Sequence, residues 1–234
     1  MDFALTDEQR MISDLAREFA RNEIVPVAKE YDREAKFPRE IIEKARGVGL
    51  VNINIPAEYG GSGLGCVELA LMAEQLGWGC TGITTSMCLD FLVAEALLLA
   101  GSGEQKKEYL GRLMDGRFAC FALTEPGAGS DVAGIRTRAE KRGDRYLLNG
   151  AKVWITNASV ADFLIVFTKT DRNAGYRGLT LFLVDRDARG VEVGNPIPKL
   201  GQKASPSCEL FFSDVEVPEE ARIGAEGERL CPNS

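Results

Sequence analysis

The hydrophobic period of this chain changes once, close to Gly116, and the change limits the folds open to it. Before it, apolar residues keep helical spacing, as Met11, Leu15 and Phe19 do in "LTDEQRMISDLAREFA". After it come short segments rich in β-branched and aromatic residues, such as "DFLIVFTKT" and "GLTLFLVD". Helices followed by successive strands predict an α+β chain, with an all-α domain at residues 1–117 and an antiparallel β-barrel or sandwich from 118 to 227.

Local signals place several boundaries within these halves. Thr6 and Gln9 have the spacing of a capping box at the start of the first helix, and Pro26 should bend or interrupt that helix. "RGDR" is typical of a hairpin turn, and we expect a second tight turn at "NGAK", residues 149–152.

Charge and composition exclude several function classes. The formal net charge is −7, and 28 Lys and Arg are scattered among 35 Asp and Glu, so no nucleic-acid footprint is expected. The chain has no His and no CxxC pair, so we expect no metal site and reduced cysteines. Apolar runs such as "FLVAEALLLA" are too short for a membrane span. Without a secretory or transit signal at the start, we expect a cytoplasmic bacterial protein, or a mitochondrial matrix protein if the source is eukaryotic.

The stretch "FALTEPGAGSD", residues 121–131, is a loop of small residues directly after an apolar, strand-like run. Gly127 and Gly129 would let backbone N–H groups approach a ligand closely, and the hydroxyls of Thr124 and Ser130 can donate or accept hydrogen bonds. Such a loop suits a phosphate or a polar heterocycle. The alternative is an ordinary turn between two strands.

A second candidate is "NGAKVWITNA", which carries one of only two tryptophans, Trp154. An indole facing a ligand would cover the flat ring of an aromatic cofactor, with the Thr156 hydroxyl close by. The alternative is a core tryptophan of the β domain.

Together the two stretches resemble the acyl-CoA dehydrogenase family of flavoproteins. The resemblance is carried by "ALTEPGAGSD" followed by "GDRYLLNGAKVWITNA", and it continues through "KLGQKASPSCELFFSDVEVPEE". It covers residues 1 to about 227, whereas residues 228–234 form a divergent tail. The resemblance implies FAD as the cofactor and places the flavin contacts at eight residues: Phe121, Leu123, Thr124, Gly129, Ser130, Trp154, Ile155 and Thr156. It puts Ser130 near both the cofactor phosphates and the acyl-CoA.

The activity implied by this resemblance is α,β-dehydrogenation of a fatty acyl-CoA to the trans-2-enoyl-CoA, as in fatty acid β-oxidation and lipid metabolism. It also implies electron transfer to an electron-transfer flavoprotein and a homotetramer. The family's glutamate base belongs to a C-terminal four-helix bundle with no counterpart by motif in this sequence, so we expect the chain to be inactive alone. Two alternatives stay open: an acyl-CoA oxidase-like flavoenzyme, and a non-catalytic module that binds flavin or acyl-CoA.

The same resemblance places the far end of the acyl cavity at the helix "TGITTSMCLDFLVAEALLLAG", where Met87 and Cys88 would contact the substrate. This segment contains Asp90 and Glu95 but no Lys or Arg. A dicarboxyl substrate would bring an unpaired carboxylate there at a cost of several kcal/mol, on the order expected for a buried ion. We therefore expect an uncharged short- to medium-chain acyl group.

Overall fold

The computed structural model describes residues 4–226, so the predicted tail at 228–234 lies outside the described residues. The chain forms two compact units, one of Met1–Phe91 with Pro198–Pro206 and one of Leu92–Ile197 with Ser207–Ser234. The domain limits expected from the sequence, 1–117 and 118–227, stay a prediction.

The predicted helical half is confirmed. Its helices are α1 Asp7–Phe19, α2 Ala28–Glu34, α3 Arg39–Gly47, α4 Cys66–Gly79, α5 Thr81–Cys88, α6 Asp90–Ala100, α7 Gly103–Gln105 and α8 Gly111–Met114. The capping box is present, because the Gln9 N–H donates to Thr6 Oγ1 at 3.1 Å and the Thr6 N–H donates to Gln9 Oε1 at 3.1 Å. The first helix ends in a π-helical turn, Ala20–Ile24, before Pro26.

Residues distant in sequence complete the first unit. Ser86 Oγ of α5 donates to the carbonyl of Ala204 at 3.1 Å, and Asp32 Oδ1 of α2 accepts from the Lys203 N–H at 2.9 Å. An added Cβ on Gly82 would lie only 3.0 Å from the Cα of Gln202. The segment Pro198–Pro206 therefore belongs to this helical unit rather than to the β-sheet unit.

The second unit contains one eight-stranded sheet. Its strands are β1 Ala119–Ala122, β2 Arg138–Arg142, β3 Arg145–Thr156, β4 Phe163–Lys169, β5 Leu179–Asp185, β6 Val191–Val193, β7 Ser207–Pro218 and β8 Arg222–Ile223. The order is β6-β7-β3-β2-β4-β5-β8, with β1 paired to β4. All seven residues of β4 are buried, which makes this strand the centre of the core.

The expectation of an antiparallel barrel needs two corrections. β1 and β2 both pair with β4 in parallel, so the sheet is mixed. Among the described residues the end strands β6 and β8 pair with β7 and β5 and not with each other, so the sheet is not a closed barrel. The parallel pairs arise because β1 reaches β4 only after the long β2–β3 hairpin, and a crossover of this kind can return the chain in the same direction.

One predicted turn is confirmed and the other is wrong. "RGDR" joins β2 to β3, with Gly143 at φ 66°. "NGAK" is not a turn, because Asn149–Lys152 lies within β3. The glycine serves close packing instead: a Cβ on Gly150 would lie 2.5 Å from Thr137 Oγ1. The irregularity is on the partner strand β7, where Asp214 has φ 52° and exchanges hydrogen bonds of 2.9 and 3.0 Å with Asn149.

One helical stretch, Thr81–Ala100, is long and apolar enough by length and composition to cross a membrane, although half of it is buried within the protein. A core helix of a soluble protein meets the same criterion, so this observation is weak support for a span.

Candidate functional site

The strand β1 delivers the first predicted site residues to the edge of the loop. Phe121 is partly buried and packs edge-on against Phe167 of β4, with ring centroids 4.8 Å apart. Leu123 and Thr124 follow the strand and are partly exposed. Their carbonyl groups accept hydrogen bonds from β3, which fixes the path of the chain into the loop.

The loop itself is a tight turn with an open outer side. Glu125 and Ala128 exchange two backbone hydrogen bonds of 3.0 and 3.1 Å, with Pro126 and Gly127 at the tip. An ideal Cβ placed on Gly127 or Gly129 meets no atom within 4 Å. Gly129 and Ser130 are exposed. The turn between strands proposed as the alternative is therefore present, and it leaves room for a ligand beside it.

A buried ion pair lies beneath this loop. Lys152 Nζ donates to Glu125 Oε1 at 2.9 Å and to the carbonyl of Leu123 at 3.0 Å, and its side chain is 0% exposed. The Glu125 carboxylate also accepts from the backbone N–H groups of Arg136 at 2.6 Å and Thr137 at 3.0 Å. Both carboxylate oxygens of Glu125 therefore accept hydrogen bonds that hold the loop in place.

The electrostatics of the pair follow from its burial. Burial lowers the pKa of Lys152 to about 8, against the opposing effect of Glu125. Burial raises the pKa of Glu125, but hydrogen bonds with Thr137 and Lys152 and the charge of Lys152 outweigh it, so the pKa stays below its ordinary value. Both groups are charged at neutral pH, and the pair joins the loop to β3.

Trp154 occupies a β-bulge, the irregular point of β3. The register of β3 with β7 shifts between Lys152 and Ile155, so two residues of β3 lie opposite one residue of β7. Trp154 has φ 62°, an uncommon conformation for a bulky residue, and is 54% exposed. The core-tryptophan alternative is therefore wrong. Ile155 is 2% exposed, whereas Thr156 is partly exposed and pairs with Ser207.

The two predicted stretches meet directly. The N–H of Val153, next to Trp154, donates to the carbonyl of Thr124 at 2.9 Å. The small-residue loop and the exposed indole thus lie on one part of the sheet unit, about 30 residues apart in sequence. This arrangement offers an open loop surface, hydroxyl groups and a flat aromatic face, which suit a planar heterocycle that carries phosphates.

The two predicted substrate contacts lie in α5 of the helical unit. Met87 is 2% exposed, and Cys88 is partly exposed. Burial of its thiol group, together with the Asp90 carboxylate, raises the pKa of Cys88 well above its usual value, which disfavours the thiolate form. Within residues 4–226 no group of three His, Cys, Asp or Glu side chains could hold a metal ion.

Sequence reasoning missed Lys152. The signal that could have found it is a lysine inside an otherwise strand-like stretch, at the same parity as the apolar residues Tyr146 and Leu148. Residues two apart on a strand share a face, so Lys152 had to point into the core, where a charge needs a partner. Glu125 is the acid that meets it.

Comparisons with known proteins agree with this geometry. The sequence model "Acyl-CoA dehydrogenase, N-terminal domain" matches residues 6–117, and "Acyl-CoA dehydrogenase, middle domain" matches residues 120–215. The chain is 39% identical to "Probable medium-chain specific acyl-CoA dehydrogenase 2, mitochondrial" of Caenorhabditis briggsae, over 97% of this chain and 57% of that protein. It is 38% identical to the short-chain specific acyl-CoA dehydrogenase of Clostridium acetobutylicum, over 97% and 60%.

Solved structures of other proteins also superpose closely on this chain. Butyryl-CoA dehydrogenase from Megasphaera elsdenii superposes with a TM-score of 0.90 at 35% identity, covering 97% of this chain and 61% of that one. A FAD complex of PigA superposes with a TM-score of 0.92 at 35% identity, covering 97% and 60%. A chain from work on the electron transferring flavoprotein of Acidaminococcus fermentans gives a TM-score of 0.92 at 37% identity, covering 98% and 61%. The chain therefore spans about 57–61% of the length of these five relatives.

Proposed function

This chain belongs to the acyl-CoA dehydrogenase family, and from that premise we propose that it takes part in flavin-dependent α,β-dehydrogenation of an acyl-CoA thioester. The observation that carries the proposal is the hydrogen bond from Val153 to Thr124, which joins the open loop to the exposed indole of Trp154. FAD is the cofactor that this pair of features fits. An added Cβ on Gly127 or Gly129 would meet no atom within 4 Å, so the loop leaves space for a ligand. The indole of Trp154 presents a flat face.

In this proposal Trp154, Ile155 and Thr156 hold the flavin ring, and Thr124 hydrogen-bonds its polar edge. Gly129 and Ser130 bind the phosphate groups of FAD, and Phe121 and Leu123 support the loop from the side of β1. When bound, FAD would be the acceptor for the hydride that leaves the β carbon of the acyl group. The chain's own residues orient the ring: the Glu125–Lys152 pair fixes the loop against β3, so the groups around the ring are preorganised.

The proposed substrate is an uncharged short- to medium-chain acyl-CoA. Support comes from the helix at 81–101, which has no Lys or Arg to pair with a second carboxylate. The buried side chain of Met87 offers apolar contact of the kind that a straight acyl chain needs. One added methylene is worth only about 1–3 kcal/mol in such a pocket, so we expect graded rather than absolute selection of chain length.

Further parts of the proposal concern assembly and location. We propose an electron-transfer flavoprotein as the electron acceptor, a homotetramer as the assembly, and the bacterial cytoplasm or the mitochondrial matrix as the compartment. No residue of the 234 matches the family's glutamate base by motif. We therefore expect flavin binding without turnover in this chain.

The test is FAD binding by the 234-residue chain, measured by flavin absorbance and equilibrium dialysis. Trp154→Ala should raise the Kd for FAD by about two- to tenfold, the range expected for loss of one aromatic contact, and should alter the flavin spectrum. Trp154→Gly should do the same, and because glycine tolerates the positive φ of this position it separates loss of the indole from backbone strain.

Trp78→Ala is the matched control, since Trp78 is also 54% exposed and lies in the helical unit. Failure of the unmodified chain to bind FAD, or equal Kd values for all four proteins, would contradict the proposal. Adding acyl-CoA to the flavin-loaded protein tests the oxidase-like alternative, which oxygen consumption would indicate. A spectral shift without reduction is expected both for the proposed function in this chain and for a binding module.

A further inference from the structure

The crossing loop, Pro198–Pro206, interrupts the β-sheet unit. It belongs to the helical unit, whereas the residues on both sides of it belong to the sheet unit. The Ile197 N–H donates to the carbonyl of Ser207 at 2.8 Å, so the two ends of the loop are held together at its base. A compact loop with adjacent ends is an Ω-loop, a form that is frequently functional.

The crossing loop contacts one face of α5. Thr85 Oγ1 donates to Gln202 Oε1 at 3.2 Å, and Ser86 Oγ donates to the carbonyl of Ala204 at 3.1 Å. An added Cβ on Gly82 would lie 3.0 Å from the Cα of Gln202, so the helix backbone itself lies close to the loop. Gly82, Thr85 and Ser86 have the i, i+3, i+4 spacing of a single helix face. This face of α5 is therefore fixed by the loop.

Other faces of α5 carry the predicted substrate contacts. Met87 and Cys88 follow Ser86 in the sequence, and their side chains lie about 100° and 200° further around the helix axis. Met87 is buried, and Cys88 is partly exposed. Because a regular helix moves as a rigid element, the contacts of Ser86 with the loop also determine where Met87 and Cys88 lie.

The base of the crossing loop joins the strands of the candidate flavin site. Ser207 is the first residue of β7 and the register partner of Thr156 in β3. Trp154 lies two positions before Thr156 in the same strand. Ala204, which accepts from Ser86, lies three positions before Ser207. A short stretch of backbone therefore connects the hydrogen bond to α5 with the residue that pairs with a proposed flavin contact.

Two features of the crossing loop are unfavourable for folding. Gln202 has φ 51°, an uncommon conformation for a residue other than glycine. Ser205 is 1% exposed, and its hydroxyl group has no hydrogen-bond partner within residues 4–226. The loop is held in this form by Asp32, which accepts from the Lys203 N–H at 2.9 Å, and by Lys199 Nζ, which donates to the carbonyl of Ser205. Strain that the surrounding structure maintains in this way is concentrated at functional sites.

We propose that the crossing loop positions α5 for the acyl group and couples it to the flavin strands, with Thr85 and Ser86 as positioning residues. This role rests on the proposed function, since the acyl and flavin contacts are those assigned there. A ligand that shifts α5 changes the base of the loop at Ser207, and a ligand on β3 changes α5 by the same route. Coupling of this kind is reciprocal for binding free energies.

Amide hydrogen exchange of the 234-residue chain, followed by NMR, tests the coupling without any ligand. Ser86→Ala removes the buried hydrogen bond to the loop. Thr85→Val removes the partly exposed one and keeps the shape of the side chain, which protects the test against misfolding. Each variant should speed exchange of the Ile197 amide, at the base of the loop, about two- to tenfold, the range expected for one lost hydrogen bond.

Thr84→Val is the matched control, because the Thr84 hydroxyl donates to the carbonyl of Cys80 at 3.0 Å and not to the loop. Exchange of the Val166 amide in the buried strand β4 reports any global loss of stability. Faster exchange at Ile197 than at Val166 in the two loop variants, with no change in the control, supports the role of the loop. Equal acceleration at both amides, or equal Ile197 exchange in all three variants, would overturn it.

FAD separates positioning from local packing. The assigned flavin contacts all lie in the sheet unit, so the effect of FAD on the Met87 amide of α5 should depend on the loop. FAD should slow this exchange about fivefold or more in the unmodified chain and in Thr84→Val, the lower end of ordinary coupling between sites, and less in Ser86→Ala. A chain that binds FAD without this effect would overturn the coupling and leave the proposed function standing. Faster Ile197 exchange in the loop variants of a chain that binds no FAD would support the hold of the loop on α5 and count against the proposed function.

Discussion

The two tryptophans of this chain are equally exposed, 54% each, yet they lie in opposite kinds of surroundings. Trp78 lies in α4 with helical backbone, and the Arg17 guanidinium lies 4.0 Å from the centroid of its ring. Trp154 lies in a strand bulge with φ 62°. Single exposed apolar side chains are common on protein surfaces, so exposure alone does not mark a site. The backbone conformation of Trp154 is the better mark of a site. A left-handed conformation costs a bulky residue about 1–2 kcal/mol and persists only where the surrounding structure imposes it.

The surroundings of Trp154 supply that constraint. Two residues before it, Lys152 is fixed by Glu125 and by the carbonyl of Leu123, and next to it Val153 is bonded to Thr124. Trp78 has contacts of another kind, a cation on its ring within a regular helix. The comparison indicates that the sheet unit holds the Trp154 indole outward on a strained backbone. In the helical unit, the Trp78 indole lies on a regular helix and is covered by the Arg17 side chain.

The largest expected effect comes from removing the support beneath Trp154. Lys152→Met leaves the buried Glu125 carboxylate without its counter-charge, and such a change costs about 3–5 kcal/mol of unfolding free energy. Urea unfolding followed by Trp154 fluorescence in a Trp78→Phe background measures it.

A double variant controls for the loss of lysine packing. Glu125→Gln/Lys152→Met removes both charges at similar volume and should recover part of the lost stability, because no unpaired charge is left buried. The recovery is partial because the Glu125 oxygens accept from two backbone N–H groups, and an amide can accept only one of these hydrogen bonds. If the single and double variants were equally unstable, the ion pair would not be the support, and the contrast between the two tryptophans would have to rest on the bulge alone.

The sequence predicted much of this architecture because its signals are local. Helical spacing, the Thr6 capping box and the β-rich second half each depend on residues a few positions apart. The bulge does not. The buried residues of β3 include 146, 148 and 152 and then 155, so the parity changes across Val153 and Trp154. That change is set by pairing with β7, more than 50 residues away, and no local pattern encodes it.

The site was predicted in the same uneven way. The residue types of Thr124 and Trp154 indicate a ligand site from the sequence alone, but their connection through Val153 depends on the end of β1 and β3 meeting in space. The sequence of "NGAK" predicts a turn because Asn-Gly usually marks one. The close approach of Thr137 to Gly150 explains the glycine instead, and that approach is visible only in three dimensions.

A second prediction uses identical substitutions at both tryptophans. At Trp154, glycine should be more stable than alanine by about 1 kcal/mol, because alanine keeps the cost of positive φ. At Trp78, in the last turn of α4, alanine should be more stable than glycine by up to about 1 kcal/mol, because glycine has the lower helix propensity. Thermal and urea unfolding of the four single variants gives both differences. Each difference compares two small residues at one site, so the lost indole contacts cancel.

The expected signs are opposite, and that is what sharpens the comparison. Alanine preferred at both positions would mean that Trp154 relaxes to ordinary strand geometry in solution. The bulge would then not be what holds the indole outward.

The smallest expected effect concerns the contact that covers Trp78. Arg17→Met keeps the length and apolar packing of the side chain but removes the cation, which at an exposed ring contributes about 0.5–1 kcal/mol. Unfolding followed by Trp78 fluorescence in a Trp154→Phe background isolates this ring, and Arg21→Met, at an exposed position in the π-helical turn that follows α1, serves as the control. A loss in the Arg17 variant alone would show that the helical tryptophan is stabilised by a local surface contact. Equal stability of the two variants would mean that Trp78 is held by helix packing only, and its exposed face would then be as uncovered as that of Trp154.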